Sequence, residues 1–150
     1  MRFSDLADQP CSISRSLAIL GERWTLVILK QAFAGTRRFD DFVATTGISR
    51  SRLTTRLNEL VEHGILERVE YKDTRTRSEY RLTQRGHDVY PILMALRGWG
   101  DAHLAPDGPP LRYLHTDCGG EVRSHLSCER CEEPLVARDI TVDLGPGFPT

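Results

Sequence analysis

The chain has 150 residues and a mass of 17.0 kDa, enough for one medium domain with a small appendage and a sizeable core. Hydrophobic residues make up 39% and charged residues 27%, which excludes the disordered and fibrous classes. The N-terminus has no apolar signal core and no segment approaches the roughly 20 apolar residues of a membrane span, so we expect a cytoplasmic protein. In that reducing compartment the four cysteines are expected to be metal ligands or reactive thiols rather than disulfides.

The net charge of −1 is unevenly distributed along the chain. Residues 1–100 carry about +4 and residues 101–150 about −5. The sign changes near a segment rich in proline and glycine, 105–110, which can continue neither a helix nor a strand. We therefore predict a basic domain over 1–104, a linker over 105–110 and an acidic tail over 111–150.

Hydrophobic periodicity predicts three helices in the first third of the chain. The first two cover 12–20 and 22–33 and are separated near Gly21. The second is apolar around most of its circumference, which indicates a core helix. The third covers 39–46 and ends at Gly47, a residue suited to a left-handed C-cap.

A fourth helix is predicted to begin after Ser49, a good N-cap residue, and to end at Gly64. Its apolar residues follow the spacing i, i+4, i+7, i+8. They are Leu53, Leu57, Leu60 and Val61.

The next segments predict a hairpin and a final helix. Residues 65–71 and 78–82 alternate largely like strands around a cationic turn over 72–77. Residues 83–103 then predict one helix, bent at Pro91. Its apolar stripe consists of Val89, Ile92, Leu93, Leu96 and Trp99.

Two helices joined by a tight glycine turn, followed by a basic hairpin, are typical of a winged helix-turn-helix. The fold class is thus mainly α with a small β wing. In such a fold the second helix enters the DNA major groove and the hairpin meets the phosphates or the minor groove. A solvated helix face is the alternative for the second helix alone, and the cations of the hairpin favour DNA.

Candidate DNA-binding residues lie on that helix, on the hairpin and just before the third helix. The base or near-base contacts are expected from Arg50, Ser51 and Thr55, and the phosphate contacts from Arg52, Arg56, Lys72, Arg75 and Arg77. Arg38, Ser49 and Thr54 complete the set. Trp24 and Trp99 could line a small-molecule pocket, but core or dimer interface is the simpler interpretation, and no ligand site is assigned.

Residues 11–100 resemble the HxlR family of bacterial winged helix-turn-helix regulators. The resemblance rests on Cys11, Gly21-Glu22-Arg23-Trp24-Thr25, Arg38-Phe39, Gly47-Ile48-Ser49, Leu53, Arg56-Leu57, Leu60, Gly64-Ile65-Leu66, Arg68, Glu79-Tyr80-Arg81-Leu82-Thr83, Gly86 and Trp99. It implies a homodimeric transcription regulator, most often a repressor, with the first and last helices at the interface and two recognition helices on a pseudo-palindrome. This chain departs from the family in its wing, where Thr76 stands in a segment that usually carries proline.

Cys11 has two interpretations. In some members of the resembled family a cysteine at this place senses oxidants or electrophiles, and a thiol at a helix start with Arg15 one turn away could have a lowered pKa. A buried, inert cysteine is the alternative.

The tail carries the spacing His-x2-Cys-x9-Cys-x2-Cys. Two-residue gaps let both donors of a loop face one ion, so the pattern predicts a small β-rich, zinc-ribbon-like module with a structural zinc ion. The expected ligands are His115, Cys118, Cys128 and Cys131, with strands over 122–126 and 140–144. A redox disulfide between Cys128 and Cys131, unrelated cysteines, iron in place of zinc, or His125 as the fourth ligand are the alternatives.

The function predicted from these patterns is sequence-specific DNA binding by a homodimeric transcription regulator. A sensor in which Cys11 or the zinc tail controls DNA release, with an oxidant or small molecule as inducer, is the second hypothesis. A protein-interaction module without DNA function is a third. The sequence has no nucleophile triad, phosphate-binding glycine loop or open metal site, so we expect no enzymatic activity.

Overall fold

The computed structural model of the chain describes residues 3–72 and 76–149. It divides into two compact units, one containing the residues up to Tyr90 together with Pro149, and the other Pro91–Phe148. The first unit holds the helix-turn-helix and the hairpin. The second unit holds the last long helix and the cysteine-bearing tail. The boundaries 1–104, 105–110 and 111–150 stay a prediction.

Four α-helices precede the hairpin in the first unit. A 3-10 helix, Phe3–Asp8, precedes α1 (Ser12–Leu20), α2 (Thr25–Phe33), α3 (Phe39–Thr46) and α4 (Arg50–Glu62). The bounds of α1 and α3 are those predicted. Helix α2 begins three residues later than predicted, because the segment 22–24 forms a turn in which Thr25 N–H donates to Glu22 C=O over 3.0 Å. As expected for a core helix, α2 buries Thr25, Ile28, Leu29 and Ala32.

The turn between α3 and α4 follows the predicted chemistry. Gly47 has φ 68° and closes α3 with a hydrogen bond from its N–H to Val43 C=O over 3.0 Å. A residue with a Cβ would be strained in this left-handed conformation. Ser49 occupies the N-cap position of α4 but its side chain makes no capping hydrogen bond. The inner face of α4 is buried at Leu53, Leu57 and Leu60.

The hairpin is longer than the sequence predicts. Strands β1 (Leu66–Lys72) and β2 (Thr76–Leu82) pair antiparallel, from Leu66 opposite Leu82 to Lys72 opposite Thr76. The predicted turn over 72–77 is therefore too long, and Lys72 and Arg77 lie in strands. Alternation failed to find these strand ends because they are polar on both faces and are held by backbone pairing.

The predicted helix over 83–103 is two helices, α5 (Gln84–His87) and α6 (Tyr90–His103). The break lies before Pro91, which occupies the first turn of α6 rather than a bend. A proline fits there because the first N–H groups of a helix have no helical partner. Thr83 caps α5, accepting a hydrogen bond from Gly86 N–H over 3.1 Å.

The second unit has little regular structure after α6. Strands β3 (Leu126–Ser127) and β4 (Pro134–Leu135) form a short antiparallel pair, and Ala137–Asp139 is a 3-10 turn. The strand predicted over 122–126 is reduced to β3, and the strand predicted over 140–144 is absent from this described segment. Alternation alone cannot hold a strand without a partner, and β3 and β4 pair with each other.

Within residues 3–72 and 76–149, every helix is too short or too polar to cross a lipid bilayer.

Candidate functional site

The outer face of α4 carries the predicted DNA-contacting side chains. Arg50, Ser51, Arg52, Thr54 and Thr55 are all exposed on it. Because the opposite face is held in the core by three buried leucines, this face has one fixed direction. A helix with such a face can present forked guanidinium donors to base edges or phosphates.

Arg50 is held by the preceding helix. Its Nη2 lies 2.8 Å from Asp40 Oδ1, and its guanidinium lies 5.0 Å from the centre of the Phe39 ring. Both partners of the ion pair are more than half exposed, so the pair is weak and can exchange for another anion. The structure thus places an acidic residue beside the first candidate base contact.

The hydroxyl groups of the two threonines on this face donate hydrogen bonds to the backbone of α4. Thr54 Oγ1 donates to Arg50 C=O over 2.9 Å, and Thr55 Oγ1 donates to Ser51 C=O over 3.1 Å. In this arrangement each hydroxyl oxygen can still accept a hydrogen bond. Thr54 and Thr55 can therefore accept a hydrogen bond from an amino group of a base, or make an apolar contact with a thymine methyl group.

Arg56 differs from the other arginines of α4. Its side chain is only 19% exposed, and its Nη1 is paired with Glu59 on the same helix and lies 3.6 Å from Glu22. A guanidinium held by two carboxylates is not free for a phosphate. Its placement favours a positioning role, in which Arg56 fixes α4 against the turn before α2.

The start of α3 and the part of the wing near its tip form a shallow groove. Arg38, exposed, stacks its guanidinium 5.7 Å from the Tyr71 ring, and Arg77 is exposed on β2. Tyr80 N–H donates to Arg37 C=O over 2.8 Å, and the backbones of Arg38 and Glu79 form an isolated antiparallel β-bridge. These backbone contacts hold the segment before α3 against β2. Arg38 and Arg77 are thus brought to one groove.

Two predicted wing contacts are not placed. Lys72 is described in its backbone alone, as the last residue of β1, and Arg75 lies outside the described residues.

Sequence reasoning missed the acidic side of this surface. Asp40 and Asp41 lie in the first turn of α3, where carboxylates are stabilised by the helix dipole. Both also line the groove with Arg38 and Arg77. The signal was present in the sequence as two aspartates after a helix start, but their approach to Arg50 depends on how α3 and α4 cross.

Cys11 is the N-cap of α1 and is exposed. Its side chain makes no capping hydrogen bond of standard geometry. The backbone N–H and the hydroxyl of Ser14, then the N–H of Ile13, favour the thiolate and lower the pKa of Cys11, with the charge of Arg15 contributing least. Arg15 instead donates from Nε to Gln9 C=O over 2.8 Å. The alternative of a buried Cys11 is therefore wrong, and its reactivity stays a prediction.

The structure brings the predicted metal ligands together as two pairs. His115 Nδ1 lies 3.2 Å from Cys118 Sγ. Cys128 faces Cys131, and hydrogen bonds from the N–H groups of Cys131 and Arg130 and from the Cys131 side chain lower the pKa of Cys128. All four cysteines are free thiols. In the described part of the chain no three histidine, cysteine or acidic side chains are gathered around one point that could hold a metal.

Comparisons with known proteins agree with the geometry of the first unit. Residues 19–108 match the family of HxlR-like helix-turn-helix proteins. An uncharacterised HTH-type transcriptional regulator of Mycobacterium tuberculosis is 44% identical over 99% of this chain and 96% of its own length.

Solved structures show the same relationship. PA1607, a candidate transcription factor, has a TM-score of 0.83 and 33% identity over 91% of this chain and 96% of its own. The reduced form of the redox regulator HypR has a TM-score of 0.59 and 27% identity over 63% of this chain and 95% of its own. The helix-turn-helix, the wing and these relatives lead to one conclusion: the chain belongs to the HxlR-like helix-turn-helix family of transcriptional regulators.

Proposed function

We propose that the protein is a sequence-specific DNA-binding repressor that acts as a homodimer on a pseudo-palindromic operator. The observation that carries the proposal is the exposed face of α4, where Arg50 and Arg52 project from a helix anchored by buried leucines. Helix α4 has 13 residues and is about 20 Å long, and its diameter of about 10–12 Å with side chains fits the roughly 12 Å width of the major groove. The cations Arg38 and Arg77 line a groove together with Asp40, the partner of Arg50.

Each unit exposes an apolar helix face that a second copy would cover. In α1, Ile13 is 72% exposed and Leu17 is 46% exposed. In α6, Ile92, Leu96 and Trp99 are 42%, 50% and 58% exposed and recur at helical spacing. Such rows of large apolar side chains are typical of interfaces. A twofold dimer would place two α4 helices on successive major grooves.

The DNA part of the proposal is tested by selecting bound duplexes from genomic fragments and measuring affinity against random duplex at fixed salt. Arg50→Ala is expected to reduce the preference for the selected site, because it removes a base-edge donor. Arg77→Ala is expected to weaken binding to both duplexes and to lower the salt slope by about one unit, because it removes a phosphate contact. Equal loss on both duplexes for both variants would contradict the division of roles.

The homodimer is tested by light scattering of the purified protein. Leu96→Glu is expected to shift the mass from dimer to monomer, because it places a charge in the apolar row of α6. Leu111→Glu changes another exposed leucine, 63% exposed and outside α6, and is expected to keep the dimer. Repression is tested by deleting the gene and measuring transcripts beside the selected site, which we expect to rise.

A second candidate function is thiol-dependent release from DNA, with Cys11 as the sensor. Cys11 is exposed and its pKa is lowered, and structures similar to this chain include the redox regulator HypR in reduced and oxidised forms. The Cys11 thiolate would add to the carbon–carbon double bond of an α,β-unsaturated carbonyl compound, and the enolate formed would take a proton from water to leave a thioether. Cys11→Ser is expected to abolish electrophile-induced release while leaving affinity unchanged, and unchanged release would exclude Cys11.

A further inference from the structure

The predicted metal ligands of the tail form two pairs, His115 with Cys118 and Cys128 with Cys131. The loops that hold the two pairs have the same backbone hydrogen bonds. In each loop the first predicted ligand is residue i. Its backbone N–H donates a hydrogen bond to the C=O of residue i+5, and its C=O accepts one from the N–H of residue i+4. These distances are both 2.8 Å where i is His115, and 3.0 and 2.9 Å where i is Cys128. The two pairs therefore occupy equivalent positions in two copies of one turn.

The equivalence extends to the chain on either side. Residue i−1 is paired antiparallel with residue i+6 in both loops, as Leu114 with Glu121 and as Ser127 with Pro134. Each loop thus closes a short hairpin with the same register. His125 lies three residues before Cys128, outside the second turn, and has no equivalent position in this design.

Both turns also require a left-handed residue directly after the second donor. Gly119 has φ 70° and Glu132 has φ 61°. Within residues 3–72 and 76–149, Glu132 is the one residue other than glycine with positive φ, a conformation that its Cβ makes unfavourable. In the first loop this reversal brings Gly120 N–H to 3.4 Å from Cys118 Sγ. An N–H aimed at sulfur stabilises a thiolate ligand.

The spacing of donors inside a loop suits a tetrahedral metal ion. Zinc bonds of about 2.0 Å to nitrogen and 2.3 Å to sulfur place two ligands about 3.5 Å apart at a tetrahedral angle. His115 Nδ1 and Cys118 Sγ are 3.2 Å apart. The opposite ring nitrogen, Nε2, lies 3.8 Å from Asp117 Oδ2, which is beyond hydrogen-bond distance.

The hairpins lack the apolar core that could stabilise them. In the stretch 106–149 no residue is buried, and the large apolar side chains of Leu126, Ile140, Val142 and Leu144 are exposed. The first hairpin is attached to α6 by Arg97, whose Nη2 donates to Val122 C=O over 2.7 Å and whose guanidinium lies 5.0 Å from the Tyr113 ring. A module this small needs a metal or another crosslink to fold stably.

We propose that one structural zinc ion joins the two hairpins, bound by His115 Nδ1 and the thiolates of Cys118, Cys128 and Cys131. The four ligands lie in the structure as two pairs, and an ion bound by both pairs would hold the two hairpins together. Binding releases the thiol protons to solvent. Three sulfurs and one nitrogen fill the tetrahedron, so the ion has a structural role.

The experiment is metal analysis of the full-length protein, purified under reducing conditions and dialysed. About one equivalent of zinc per chain is expected, falling below half an equivalent in Cys118→Ser and in Cys131→Ser. His125→Ala and Cys11→Ser are matched controls and are expected to keep the metal. Less than half an equivalent in the wild type, iron in place of zinc, or metal loss in His125→Ala would overturn the assignment.

Cobalt(II) titration identifies the fourth ligand even if a cysteine variant fails to fold. His115→Cys is expected to bind cobalt, because four cysteines also form a tetrahedral site. Its visible spectrum should differ from the wild type, since one nitrogen is exchanged for sulfur. Identical spectra would show that His115 is not a ligand. Neither measurement depends on DNA binding, so the zinc site and the proposed function are tested separately.

Discussion

Arg50 Nη2 and Asp40 Oδ1 lie 2.8 Å apart and join the two helices of the helix-turn-helix. Nη2 of Arg50, a proposed base contact, is therefore paired with a carboxylate of the protein itself. In the proposed complex, DNA displaces this carboxylate wherever a base is to be contacted by Nη2. The exchange is inexpensive because both side chains are solvated, and an exposed ion pair contributes about 0.2–1 kcal/mol.

Asp40→Asn is expected to bind duplex DNA about two- to fivefold more tightly, because it removes the competitor for Arg50. Affinity for the selected site measured at fixed salt checks this. Asp41→Asn is the matched control, since it removes the same charge from the same turn of α3 but leaves the partner of Arg50 in place. Equal tightening in both variants would mean that net charge, and not release of Arg50, sets the affinity.

Arg52 and Arg56 are expected to respond differently to replacement by alanine. Arg52 is exposed, so its loss should weaken DNA binding and lower the salt slope by about one unit. Arg56 is half-buried between Glu22 and Glu59, so its loss should lower the free energy of unfolding by about 1 kcal/mol. Urea denaturation and DNA titration of both variants measure this, and a stable Arg56→Ala protein with a lowered salt slope would contradict it.

Much of the first unit could be predicted from the sequence, because its signals are local. Gly47 marks the left-handed end of α3, and the spacing of Leu53, Leu57 and Leu60 defines the buried face of α4. The pairing of Arg50 with Asp40 could not be predicted, because it depends on the packing of two helices. The ion pair of Arg56 with Glu22 could not be predicted for the same reason, since Glu22 lies more than 30 residues earlier.

Less of the tail could be predicted from the sequence. Its donor spacing predicts two loops, and the structure contains them. The alternation over 140–144 predicts a strand that the structure does not contain. Strand formation needs backbone partners, whereas each loop is closed locally by its own i+4 to i hydrogen bond.

Gly86 and Gly98 are both helical glycines, yet alanine is expected to have opposite effects at the two positions. A Cβ at Gly86 would collide with the Ile65 carbonyl group, whereas a Cβ at Gly98 would meet nothing within 4 Å. Gly86→Ala should lower the free energy of unfolding by about 2 kcal/mol through overpacking, and Gly98→Ala should raise it by about 0.5–1 kcal/mol. Urea denaturation at one protein concentration measures both, and equal changes would refute the close packing of α5.

The thiol of Cys11 is expected to react with iodoacetamide at lower pH than an ordinary cysteine. Hydrogen bonds from Ser14 and then Ile13 lower its pKa, so the reactive thiolate is populated below the usual titration range and is lost as the pH falls through the lowered value. Peptide mass spectrometry can follow the alkylation rate of Cys11 against pH. Ser14→Ala should move the midpoint upward, because the hydroxyl hydrogen bond is lost. Arg15→Gln should move it less, since the charge of Arg15 is the smallest contribution, and a larger shift in Arg15→Gln than in Ser14→Ala would reverse the order of causes.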